Sequence, residues 1–289
     1  MKLIKTIACF VLLPSALFSQ LQDGFGDGDF LNDPSWTGTT GLFIVNDALQ
    51  LQLQDEDANE AYLATELMAT QKMEWGFFIK LKFSPSANNN ARIYLISAQE
   101  NLLDEPDGIY LQYGESGSDD APELFIQDQG TTVSICRGYD GSISSSFGHT
   151  VKIIFQDGHW EMLADENGGQ YYQTIASGSH QQPWDSGFLG IHCKYTKSNS
   201  TKFYFDDFYA GPPILDSLPP QISDYTILDS NSLQLSFSEP LNLELATDSS
   251  HYFLQPCSLN PETVQTDPQN PGKVVLGFSQ CFENEASYR

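Results

Sequence analysis

The chain has 289 residues, with 38 Asp and Glu against 13 Lys and Arg and a formal net charge of -25 at pH 7. That balance excludes nucleic acid as a partner, because a polyanion is gripped through basic stripes that release counterions, and it disfavours an anionic membrane surface. Hydrophobic residues at 40% and aromatics at 12%, against only 18% charged, exclude a disordered acidic tail and provide the side chains for a folded core.

Residues 1–19 read as an address. A basic start from Met1 to Lys5 precedes a mostly apolar run from Thr6 to Phe18, and Ala16-Leu17-Phe18-Ser19 places small residues before Gln20. This is the order of a secretory signal peptide, so the mature chain is expected to begin near Gln20 and to be secreted or held at the outer cell surface. The run falls short of the about 20 apolar residues that span a bilayer, and no later segment is long enough either, so no transmembrane segment is expected in the mature chain. Cys9, which leaves with the peptide, lacks a lipoprotein-style sequence around it.

From Gln20 onward the pattern predicts strands almost everywhere. Leu49–Gln54 alternates apolar and polar with period two, and similar runs cover Leu42–Val45, Ala61–Leu67, Met73–Phe83, Ala91–Ala98, Gly108–Tyr113, Glu123–Gln127 and Thr132–Cys136. Thr150–Gln156, His159–Ala164, Gly187–Tyr195 and Lys202–Tyr209 continue the series, and Asp157-Gly158 marks the clearest hairpin. No segment keeps a helical period over three turns. So many strands in roughly 190 residues require two sheets packed face to face, and residues 20–210 are predicted to form a large jelly-roll sandwich.

Residues 211–220 contain four prolines and cannot continue a central strand, so they are expected to be a linker. Beyond it, Asp224–Leu228, Ser232–Ser238, Tyr252–Leu254 and Lys273–Phe278 predict a second, smaller all-β unit over residues 221–289. At about 70 residues it is shorter than the ~100 of an immunoglobulin-like sandwich, which predicts a domain cut before its last strands. Four cysteines remain in the mature chain, two on each side of the linker. Disulfides, with Cys136–Cys193 and Cys257–Cys281 favoured, or buried thiols are expected ahead of zinc, since no pair has Cys-x₂₋₄-Cys spacing.

Asp23-Gly24-Phe25-Gly26-Asp27-Gly28-Asp29-Phe30, Pro34-Ser35-Trp36, the strand Trp75–Phe83, Asp157-Gly158-His159-Trp160 and Phe203–Tyr209 resemble the amino-terminal module of secreted, multidomain Bacteroidetes-type proteins that carry lamin-tail and sorting domains. The resemblance implies a concanavalin A-like lectin/glucanase sandwich. Thr226–Pro240, with its Phe237-Ser238-Glu239-Pro240, resembles the opening of a bacterial S-layer-type immunoglobulin-like domain.

Chemistry-bearing patterns are few. A laminarinase-like enzyme needs Glu-x-Asp-x-x-Glu on one strand, with two carboxylates ~5–5.5 Å apart for retention. Glu161, Asp165 and Glu166 miss that spacing, and Trp160 to Asp165 instead resembles a laminin-G-like hairpin strand. No Gly-x-Ser-x-Gly elbow and no phosphate loop occurs. Asp23, Asp27 and Asp29 stand among glycines, and pairing of the first and last strands would bring Asp206 or Asp207 to them. If the flanking phenylalanines alternate, one of those two points inward. Two readings stand for this cluster: a solvated acidic surface of Asp-Gly turns, and a structural calcium site of hard oxygen ligands. Sugar binding stacks flat rings on pyranose faces beside a few polar partners, which singles out Tyr110, Tyr113 and an exposed Trp184 among the strand and loop aromatics. The sequence therefore predicts a non-catalytic module that binds a polysaccharide or cell-surface glycan, followed by a spacer, with a glycoside hydrolase or a structural adhesin stalk as the alternatives.

Overall fold

Side chains that alternate apolar and polar give a strand one face to bury, and strands of this kind close on one core. The computed structural model describes residues 20–169, 171–215, 218–255, 259–267 and 270–279. The expected signal peptide and the Cys257–Cys281 pair lie outside the described residues. Two compact units divide between Ile214 and Leu215.

The first unit runs in order through β1 (Leu21–Asp23), β2 (Thr37–Gly38), β3 (Phe43–Val45), β4 (Leu51–Leu53), β5 (Asn59–Met68), β6 (Lys72–Leu81), β7 (Asn90–Ser97), β8 (Gly108–Tyr113), β9 (Glu123–Asp128), β10 (Thr131–Arg137), β11 (Phe147–Gln156), β12 (His159–Asp165), β13 (Gln173–Ser179), β14 (Ser186–Tyr195) and β15 (Phe203–Gly211). An eight-stranded sheet has the order β13-β12-β11-β6-β15-β4-β3, with β1 also on β15. A seven-stranded sheet has the order β10-β9-β8-β7-β14-β5-β2. The pairings are antiparallel. One apolar cluster joins both inner faces: Trp75, Phe77, Ile79 and Leu81 from β6, Ile93 and Leu95 from β7, and Leu189, Ile191 and Cys193 from β14 are all at or near zero exposure. Trp75 stacks on Trp160 with ring centroids 5.8 Å apart.

Several expectations are corrected by this geometry. Cys136 and Cys193 are free, buried thiols. They sit on β10 and β14 of the same sheet, four strand steps or about 19 Å apart, far beyond the Cα separation a disulfide tolerates. Burial pushes the Cys136 thiol up to about 11 and Cys193 well above its usual value, so both serve as apolar filling. Neither Asp206 nor Asp207 enters the core. A bulge with Asp207 at φ 53° adds one residue to β15, so Phe205 and Phe208 both face inward, while Asp206 lies half-buried on the outer face and Asp207 is exposed. Trp184, expected to be exposed, is half-buried and packs against the core.

The second unit contains β16 (Ile222–Ile227), β17 (Ser232–Phe237), the four-residue helix α1 (Leu243–Ala246), β18 (Thr263–Thr266) and β19 (Lys273–Gly277), in a sheet of order β16-β17-β19-β18. Val274, Leu276, Phe278 and Ala246 form its small core. Tyr252–Leu254, expected as a strand, holds only a bridge from Leu254 to Leu259. Ile222, Tyr225 and Ile227 of β16 stay more than half exposed.

Candidate functional site

The outer face of the seven-stranded sheet follows from parity. Ile191 and Cys193 face the core, so Gly190 and His192 face outward, and the same rule turns Tyr62, Arg92, Tyr94, Tyr110, Gln112, Glu123 and Phe125 to that side. Strand register then lines these residues up in two rows. His192 pairs with Tyr62 on β5 and with Arg92 on β7, Arg92 with Gln112 on β8, Gln112 with Glu123 on β9, and Glu123 with Arg137 on β10. One step along, Gly190 pairs with Ala64 and Tyr94, Tyr94 with Tyr110, and Tyr110 with Phe125. A polar row thus runs beside an aromatic one.

The aromatic row is tight, with ring centroids 5.1 Å apart for Tyr94 and Tyr110 and 5.6 Å for Tyr110 and Phe125. A 3-10 helical turn at Leu102–Asp104, capped by the Asn101 side chain, drops fully buried Leu102 onto Ala64, Tyr94 and Tyr110. Gly190 makes room for it: a Cβ there would stand 2.5 Å from Leu102 Cδ1 and 2.9 Å from the Leu63 carbonyl oxygen. Tyr62, Phe125 and Phe188 remain half-exposed around this plug. At one end Phe188 and Glu66 line a cleft of about 660 Å³ with Leu21, Pro34 and Met68.

Charges on this face are braced rather than loose. Arg92 Nε donates to Gln112 Oε1 at 2.9 Å, its Nη1 lies 3.6 Å from Glu105, and its guanidinium sits 5.0 Å from the Tyr110 ring centre. Lys194 Nζ meets Glu60 at 3.2 Å, and Arg137 holds Glu123 at 2.8 Å. His192 is buried with Nε2 3.4 Å from Glu60, and neither ring nitrogen makes a hydrogen bond; the Tyr94 hydroxyl is likewise buried and unpartnered. Burial, helped by Arg92, pushes the His192 imidazole down to about 4, and burial raises the Tyr94 phenol to about 12. The carboxylates of Glu60, Glu105 and Glu123 are each tied to a cation, whereas Glu66, opposite Phe188 on the same face, is exposed at the cleft. On the other sheet, Asp165 accepts the backbone N–H groups of Asn167 and Tyr171 at 2.8 Å and forms the turn after β12.

Of the aromatics singled out from the sequence, Tyr110 lies in the row. Tyr113 points into the core, stacked 5.5 Å from Phe147, and Trp184 lies elsewhere, so the three are not brought together. Arg92, Gln112, His192 and Phe125 escaped notice because only register sets them side by side; their parity opposite core neighbours was the available signal.

The acidic cluster forms as a clasp of turns. β1 pairs with β15, Asp23 opposite Phe208. Asp23 accepts Phe25 N–H at 2.9 Å and Trp36 Nε1–H at 2.8 Å, one on each oxygen. Asp29 accepts Phe30 and Leu31 N–H on one oxygen and Asn32 on the other, and Asp27 accepts Asp29 N–H. Calcium takes six to eight oxygens, and in this geometry the carboxylates of Asp23, Asp27 and Asp29 are engaged by donors of the turn itself. Among the described residues no group of three or more His, Cys, Asp or Glu side chains is placed to hold a metal ion. Among the same residues no helix is long and apolar enough to cross a membrane.

No known family model matches the chain, and no curated protein matches it. Solved structures do resemble it. The Emp47p carbohydrate recognition domain aligns over 69% of this chain and 97% of its own, with 10% identity and a TM-score of 0.50. Lectin I-B4 from Griffonia simplicifolia aligns over 68% and 100%, with 11% identity and a TM-score of 0.49. A xylan beta-1,4-xylosidase from Bacillus halodurans aligns over 71% of this chain but 40% of its own, with 12% identity and a TM-score of 0.44. The chain contains the concanavalin A-like, lectin-type sandwich.

Proposed function

We propose that the first unit is a non-catalytic carbohydrate-binding module of a secreted or cell-surface protein, with the second unit as an immunoglobulin-like spacer. The observation that carries this reading is the pair of rows on the seven-stranded sheet. A pyranose offers one apolar face and a rim of hydroxyls; Phe125, at the end of the aromatic row, supplies flat apolar surface, and Gln112 and Arg92 on the adjacent row supply donors and an acceptor. A fold shared with a carbohydrate recognition domain supports the reading.

The test is a glycan array and polysaccharide pull-down with the full chain, repeated with Arg92→Ala and Phe125→Ala. At least one glycan should bind, and each variant should weaken it by about tenfold or more while the far-ultraviolet spectrum stays that of the parent. Absence of binding across the array, or variants that bind as the parent does, would remove the module from the lectin class and leave a structural stalk.

A further inference from the structure

The opposite side of the sandwich carries a different surface. Arg92, Arg137, Lys152, Lys194 and Lys197 are tied to carboxylates, whereas Lys72, Lys80, Lys82, Lys202 and Lys273 make no ion pair among the described residues. Three of those five stand together on the outer face of the eight-stranded sheet. Tyr204 of β15 pairs with Lys80 of β6, and the backbone N–H of Lys82 meets the Lys202 carbonyl at 3.1 Å, so Lys82 and Lys202 oppose each other one step further along. The Lys82 ammonium donates to the Tyr204 hydroxyl at 3.0 Å and lies 4.3 Å from its ring centre; Lys202 donates to Asn199 at 3.0 Å. Beyond Lys80 the next strand places Gly148 opposite it, with no side chain of its own. Asp206, two residues from Tyr204 on the same face, forms no ion pair with any of them.

Like charges directly opposed across a sheet destabilise it, and a chain with 38 acidic residues has ample means to neutralise three lysines. Neutralisation is withheld here alone among the basic residues of the sandwich, apart from Lys72 at the far end of β6. We propose that Lys80, Lys82, Lys202 and Tyr204 form a second binding site, for the sulfate or carboxylate groups of an anionic polysaccharide. Two paired strands thus bring three lysines to one patch of one sheet face, and the Tyr204 ring lies against the Lys82 ammonium. Screening selects the polymer over a membrane: interactions fade beyond about 8–10 Å, so a single chain feels the patch, while a flat anionic bilayer also meets the acidic surface around it.

The full chain should bind dextran sulfate and not neutral dextran of the same length, with an affinity that falls as salt rises. The double variant Lys82→Gln, Lys202→Gln should bind at least about tenfold more weakly, with a shallower salt dependence and a melting temperature at or above that of the parent, because an opposed like-charge pair has gone. Lys72→Gln should bind as the parent does. Unchanged binding in the double variant, an equal loss in Lys72→Gln, or a preference for phosphatidylserine vesicles over dextran sulfate would each overturn the site. The same double variant should keep whatever neutral glycan the other sheet binds, which separates this inference from the proposed function.

Discussion

At the level of single residues, acid and base stability pull in opposite directions. His149 and His192 are buried and neutral, each held down to about 4 mainly by burial. A histidine depressed in the folded state stabilises fully above the unfolded value near 6.5 and loses that contribution as pH falls toward 4, since the unfolded chain binds the proton first. Melting temperature should therefore drop between pH 6.5 and 4, and His192→Gln should flatten that limb; an unchanged slope would place His192 in contact with solvent. Asp206 has the reverse sign. Burial first, then Asp207 and Asp23, raise its carboxyl to about 6, so its contribution is complete below the unfolded value near 3.8 and is lost as pH rises through 6. Asp206→Asn should raise the melting temperature by a few degrees at pH 7.5 and change nothing at pH 4, while Asp207→Asn, on the exposed bulge, should do neither. Because Asp23 and Asp29 have N–H donors on both oxygens, melting temperatures in excess calcium and in chelator should coincide. A calcium-dependent rise that Asp206→Asn abolishes would mean that the turn rebuilds around a cation.

Whole elements test the clasp and the plug. Asp23→Ala removes the partner of the Trp36 indole inside a cluster where Phe208 lies 5.3 Å from Trp36 and 5.9 Å from Phe77, and should cost about 1–3 kcal/mol in denaturant unfolding. Gly190→Ala pushes against Leu102 and the Leu63 carbonyl and should cost a similar ~1–3 kcal/mol by displacing the Asn101–Asp104 turn; a neutral result would show that turn to be loosely docked. The elements themselves were largely legible, because Leu51-Gln52-Leu53, Val151–Ile153 and Trp160–Met162 alternate with period two and bury alternate residues. The expected strand at Leu49 starts two residues late, since Leu49 adopts φ 58° to close the turn on Asn46. β13 went unread because Ala176-Ser177-Gly178-Ser179 has no apolar alternation; Gly178 instead lets the strand pass against the Ile135 carbonyl, 2.1 Å from where a Cβ would stand. The candidate site was less legible for a different reason. That His192, Arg92 and Gln112 form a row depends on pairings between strands up to about a hundred residues apart, and no local pattern encodes register.

On the scale of the molecule, the division after Ile214 predicts where a protease enters. Ile214 is held by its N–H to Glu74 at 3.0 Å, whereas Leu215 and Leu218 are 85% and 74% exposed. Limited proteolysis should cut between Leu215 and Gln221 first and leave one resistant fragment of the first unit. Early cuts within residues 20–214, or a single resistant piece reaching Arg289, would show the division to be wrong.

Strand order also dictates when the sandwich becomes able to fold. The two latest strands of the first unit are inserted in the interiors of the sheets: β14 between β7 and β5, and β15 between β6 and β4. Until β14 and β15 emerge, β5, β6 and β7 each hold an open edge that no earlier strand fills. A nascent chain stopped short of Ser186 therefore has both sheets split; β14 joins the halves of the seven-stranded sheet by Tyr195, and β15 joins those of the eight-stranded sheet only at Gly211. Folding of this kind waits on contacts between the ends of a segment nearly two hundred residues long, which makes it slow and nearly all-or-none.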